Sequence, residues 1–143
     1  MLFRSKALPK MAEQANSKEL KQGFKEHLDV TNRQIERVEQ IFKELKMEAK
    51  GKRCKGMEGL IKEGDEMIQE AGDPMVKDAA LIASAQKIEH YEISGYGTAR
   101  AYAQALGHQN IARVLDQIAN EEGQADKKLT ALAEGHINMQ ARK

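Results

Sequence analysis

Apolar side chains return along this chain in alternating steps of four and three residues, the spacing that lines one face of an α-helix. Leu20, Phe24, His27, Thr31, Gln34, Val38, Ile41 and Leu45 form the first long row. Ser17 precedes it in Ser-Lys-Glu-Leu, placed to accept an orphan backbone N–H at a helix start. A helix of about eight turns is predicted from there to the loop around Gly51. Residues 57–70 predict a shorter connecting helix with Leu60, Ile61, Gly64, Met67 and Ile68 on one face, broken at Ala-Gly-Asp-Pro. Asp73-Pro74 then opens the next helix, because Asp caps and Pro at the first helical position has no N–H to waste. Its row runs Leu81, Ala85, Ile88, Glu92, Gly95, Ala99, Tyr102, Leu106, and Gly107 stops it. The last row starts near His108 and runs Ile111, Leu115, Ile118, Glu122, Ala125, Leu129, Leu132, before Gly135 and a polar tail expected to fray. Ahead of all these, residues 6–15 predict a short helix through Ala7, Leu8, Met11 and Ala15, with Pro9 tolerable near its start.

Composition narrows the class. The 143 residues contain no Trp and two Pro, and are rich in Ala, Glu, Lys, Gln and Leu, which lose least on entering a helix, so a single all-α domain is expected. Lys and Arg total 23 against 22 Asp and Glu, with no basic stripe, so nucleic acid is not an expected partner. Apolar stretches such as residues 79–85 are too short to span a bilayer, and residues 1–15 carry Arg4, Lys6 and Lys10 without a cleavable signal pattern. No membrane role is expected. The single cysteine, Cys54, cannot form an internal disulfide and lies in a Lys/Gly-rich connection, which suits a soluble cytoplasmic protein and an exposed thiol without a role.

Four polar residues fall on the inward seams of the long helices: His27, Glu89, Glu92 and Glu122. Buried carboxylates are costly unless paired, and a metal ion is one such partner. Glu89 and Glu92 are three apart and share a helix face, which Gln86 and Tyr96 extend. One facing helix offers His27, Thr31 and Gln34, and another offers Glu122 with Asp126 one turn on. Iron, manganese and zinc all accept this mix of carboxylate and imidazole. The alternative is a hydrogen-bonded polar layer in which Gln34, Thr31, Tyr96 and His27 satisfy the carboxylates and fix helix register. Glu26, His90 and Glu121 each adjoin a seam residue but point about 100° away, so they are read as flanking groups.

The run Ile88-Glu89-His90-Tyr91-Glu92-Ile93, followed by Tyr96-Gly97-Thr98, resembles a signature of the YciE/YciF family of ferritin-like proteins. The likeness extends to Lys6-Ala7-Leu8-Pro9-Lys10-Met11, Glu26-His27-Leu28 with Thr31 and Gln34, Met57-Glu58-Gly59-Leu60-Ile61, Asp78-Ala79-Ala80-Leu81-Ile82, and Glu121-Glu122 with Asp126. The resemblance implies a ferritin-like four-helix bundle with a short extra helix in its crossover, a homodimer, a dinuclear metal centre and a loose tie to bacterial stress. One departure stands out. Relatives usually begin with a longer first helix containing Asp-Ala-Glu-Lys-Gln, and alignment on Lys6 to Lys10 puts its Glu at Met1, so this chain is expected to carry a shortened first helix lacking that carboxylate.

Two main functions are compatible with this sequence. The first is a metal-binding protein, iron foremost with manganese or zinc as alternatives, held by His27, Glu89, Glu92 and Glu122 with Asp126 in support and oxidising Fe(II) with oxygen or peroxide. The second is a non-enzymatic, stress-associated homodimer whose polar layer holds register. A metal carrier or a store built as a small oligomer comes third.

Overall fold

The structure, a computed structural model, describes the backbone of residues 2–142 and the side chains of residues 7–142. Met1, the position of the missing carboxylate, lies outside the described residues. The described chain is all-helical: α1 (Leu2–Gln14), α2 (Lys18–Glu44), α3 (Lys55–Glu70), α4 (Pro74–Ala105), α5 (Gln109–Leu132), a π-helical turn (Ala133–Ile137) and α6 (Asn138–Ala141).

Helix starts follow the capping residues. Ser17 is extended, and its Oγ accepts the Leu20 N–H. Asp73 Oδ1 accepts from Met75 N at 2.8 Å and Val76 N at 3.2 Å, with Pro74 in the first turn. Helix ends are less uniform. α4 closes on Gly107 at φ 80°, with Gly107 N bonded to Gln104 O and His108 N to Ala103 O. α2 closes by the same pair of reversed bonds, Lys46 N to Lys43 O and Met47 N to Phe42 O, around Lys46 at φ 52°. It therefore stops at Glu44, short of the predicted loop at Gly51, because a lysine has taken the left-handed position that usually calls for glycine.

Asp78 ties the start of α4 to the start of α2. Its buried carboxylate accepts from Asn16 N and Ser17 N, both at 2.7 Å. These two helices therefore run parallel, while α5 runs back antiparallel, as Lys128 to Glu26 and Glu121 to Gln34 require. α5 packs against both α2 and α4, α1 against α2, and α3 against α4. α3 approaches α4 closely at Gly64, where a Cβ would stand 3.1 Å from Ser84 Cβ.

Two apolar clusters fill the bundle. One joins Leu8, Leu20, Phe24, Leu81, Leu129 and Ile137, and the other Ile41, Ala103, Ile111, Ala112 and Leu115. Along α2, α4 and α5 alike, the polar residues 27–34, 89–92 and 122 fall between the two clusters, so the metal-type side chains form a layer within the core. Two expectations need correction. Tyr102 and Leu106 are 66% and 74% exposed, and Ala103 is buried instead. A row counted in sevens drifts by about 20° per heptad on a straight helix, enough to carry those positions off the inner face. The tail beyond Gly135 also does not fray. The helix continues through a π turn, which rotates Ile137 into the first cluster at 1% exposure. Among the described residues no helix is long and apolar enough to cross a membrane.

Candidate metal centre

His27 comes one turn after Phe24 on α2, and the helix period aims it at the polar layer. The Thr31 hydroxyl donates back to His27 O at 2.9 Å, so its hydrogen bond closes within α2 and does not reach the carboxylates. His27 Nε2 lies 3.0 Å from Glu89 Oε1 on α4 and 3.6 Å from Glu122 Oε2 on α5. Glu89 and Glu122 are 1% and 0% exposed. One ligand atom from each of these residues lies within 4.8 Å of the others.

With Glu89 ionised its oxygen only accepts, and the short His27–Glu89 contact then holds a proton on Nε2. An ion would take that proton's place. The donor set fits one. Ligand atoms about 2.0–2.2 Å from a common ion stand roughly 3.0–3.6 Å from each other, and two of the separations here are already 3.0 and 3.6 Å. Three protein ligands leave further coordination positions for water or a small substrate.

The other residues singled out by sequence are distributed around this triad. Glu92 is buried one turn beyond Glu89, outside the triad, and lines a neighbouring groove with Tyr96. Asp126 is half-buried and also stands outside it, accepting from Gln86 Nε2 at 3.0 Å and lying 3.2 Å from His90 Nε2. Gln34 is fully buried and donates to Glu121 Oε2 at 3.0 Å, an oxygen that Arg37 also binds. The flanking Glu121 thus receives the hydrogen bond that the polar-layer reading assigned to seam carboxylates. Glu26 is held by Lys128 and Gln22, and the Lys128 hydrogen bond foremost keeps its carboxyl below the usual range.

Cys54 is not the exposed loop thiol that its surroundings in sequence imply. It is the N-cap of α3, half-buried, with Sγ 3.1 Å from Tyr91 Oη. The Tyr91 hydroxyl first, then the amides of Met57 and Gly56, hold the thiol below its ordinary range, while the same contact raises the Tyr91 phenol. Gly56 makes room, since a Cβ there would meet Tyr91 Oη at 2.7 Å. No local pattern announces a partner 37 residues away, and the same holds for Asp78 and the turn that it ties.

A family model described as "Domain of unknown function (DUF892)" matches residues 4–142. The chain is 43% identical to the protein YciF of Escherichia coli (strain K12) over 138 residues, covering 96% of this chain and 83% of that protein. The solved structure of YcfI from Rhodopseudomonas palustris superposes with a TM-score of 0.88 at 49% identity, over 90% of this chain and 82% of that one. The crystal structure of the Escherichia coli stress protein YciF superposes with a TM-score of 0.88 at 43% identity, over 94% and 86%.

Proposed function

The chain belongs to the DUF892 family of YciF-like proteins, and from that footing we propose that it is a ferritin-like metal-binding protein associated with stress, with iron the first candidate. The observation that carries this reading is the convergence of His27, Glu89 and Glu122 from three helices at ligand-like separations inside the core. Iron in that position would supply oxidation chemistry toward oxygen or peroxide, with Fe(II) itself the species oxidised. The chain's own part is to bind through His27, Glu89 and Glu122 and to give up the Nε2 proton as metal arrives. Glu92, one turn along α4 from Glu89, would be the carboxylate for a second ion, and Asp126 would join only by leaving Gln86 and His90.

The test is metal content by elemental mass spectrometry after anaerobic loading with Fe(II). Retention of one or two ions per chain, lost in Glu89→Ala and Glu122→Ala variants that keep their helical circular dichroism, supports the reading. No metal above background overturns it.

A second reading, a non-enzymatic homodimer, draws on a different observation. An apolar groove of about 510 Å3 runs between the second half of α2 and that of α4, lined by Ile41, Phe42, Leu45, Tyr96 and Ala99, with the exposed Tyr102 and Leu106 at its edge. Exposed apolar surface of this kind marks interaction sites in soluble proteins.

A further inference from the structure

A cleft of about 230 Å3 opens between α2 and α5, and its lining includes both His27 and Glu89. Glu26, Glu121, Ala125 and Lys128 also line it. The cleft therefore connects solvent-exposed charged residues to two of the three triad members, with room for several waters at once. The large apolar groove lined by Tyr96 includes Glu92 but none of the triad. Glu26 and Lys128 bridge α2 and α5 as an exposed ion pair. Water and salt screen such a pair, so separating it costs little. A divalent cation, with twice the charge of an ammonium, competes well for the Glu26 carboxylate. Glu121 has its own partners, Arg37 and Gln34, which leaves Glu26 as the carboxylate whose counter-ion is easily exchanged.

We propose that this cleft is the access route by which a hydrated divalent cation reaches the triad, with Glu26 the first carboxylate to receive it and Lys128 the counter-ion that it displaces. The proposal rests on the reading that His27, Glu89 and Glu122 hold a metal. It assigns Glu26 a role in the rate of uptake and none in final coordination. Apolar walls beyond the mouth offer no ligand to compete with the triad, so the cation exchanges water for protein only on reaching it, and Ala125 stands where a larger side chain would narrow the passage.

The experiment is stopped-flow mixing of chelator-stripped protein with Co(II), following visible absorbance, with the dissociation constant measured separately at equilibrium. At low ionic strength Glu26→Gln slows association by about tenfold, the lower range of electrostatic focusing, while leaving the equilibrium constant within a factor of about two. Ala125→Phe slows uptake and release by the same factor, because an obstructed passage raises the barrier in both directions. Glu26 is exposed, so its variant folds even if the Ala125 variant does not. Co(II) bound in a Glu122-dependent manner, with association unchanged in the Glu26 variant, overturns the route and leaves the metal reading intact. Absence of equilibrium binding to the unmodified protein overturns both.

Discussion

Glu89 Oε1 stands 3.0 Å from His27 Nε2, although the helices that carry them, α4 and α2, make little backbone contact and are each packed on α5. The two side chains meet by reaching across the bundle, and Glu122 joins them from α5. Between the two apolar clusters these helices meet through polar side chains, which hold them either by themselves or through what binds them.

That distinction gives the first prediction. Two ionised carboxylates sharing one imidazole repel each other when no cation is present, so Glu122→Gln, which keeps the shape and removes one charge, costs the metal-free protein no stability. The same change abolishes stabilisation by metal, which for the unmodified protein is about 2.7 kcal/mol at a hundredfold excess over Kd. Urea denaturation with and without Co(II) measures both quantities. A purely register-fixing layer gives the opposite pattern, loss of stability and no metal effect.

Asp78 supplies the second. Its carboxylate is 2% exposed and accepts two backbone N–H groups from the α1–α2 turn, at 2.7 Å each. Asp78→Ala removes both charge-assisted bonds and lowers stability by about 3 kcal/mol at neutral pH, read from the urea midpoint. Asp78→Asn keeps one acceptor oxygen and should lose about half as much. Equal losses in the two variants would mean that packing, not acceptance, sets the contribution.

What the sequence made legible divides along physical lines. Ser17 and Asp73 announced their helices because a cap is a local interaction between a side chain and N–H groups two or three residues away. Gly107 announced a helix end for the same reason, whereas Lys46 performs an identical closure with no compositional sign of it. His27, Glu92 and Glu122 stood out because polar residues on an apolar row violate the pattern that buries them, and Glu89 came with Glu92 as its neighbour on the same helix face. Periodicity could place them on inner faces but could not set the heights of three helices against one another. It therefore grouped Glu92 and Asp126 with the triad, whereas Glu92 lies one turn along α4 and Asp126 is engaged with Gln86 and His90. The π turn escaped entirely, since one extra residue in a turn depends on where Ile137 can find a cavity in the core.

The apolar groove makes the third prediction. Tyr102 and Leu106 are exposed at its edge. If two copies of the chain associate there, Leu106→Asp combined with Tyr102→Asp converts a dimer to a monomer at micromolar concentration, seen by sedimentation velocity. Thermal stability of the monomer stays within about 0.5 kcal/mol of the parent's intrinsic value, because neither side chain is buried within one chain. An unchanged sedimentation coefficient would exclude this face as the interface.

The last prediction concerns Cys54 and Tyr91, whose Sγ and Oη are 3.1 Å apart. The phenol and the α3 amides favour the thiolate, so Cys54 ionises below the ordinary thiol range. The sign for folding follows. A thiol with a depressed pKa adds stability that is fully present above its unfolded value and is lost as pH falls through its folded value. The contribution therefore rises with pH across that interval, while the raised Tyr91 phenol contributes in the opposite sense at higher pH. Alkylation by iodoacetamide reads the thiolate directly: the midpoint of its pH profile lies below that of a free cysteine. Tyr91→Phe moves it upward. Gly56→Ala moves it the same way without touching either partner's chemistry, because the added Cβ would stand 2.7 Å from the Tyr91 hydroxyl and push the ring aside. Tyr91 is partly exposed and can swing outward, so this alanine costs little stability, and its better helix propensity offsets part of that cost. Agreement between the two variants would assign the shift to the phenol contact. A midpoint that neither variant moves would assign it to the helix amides alone.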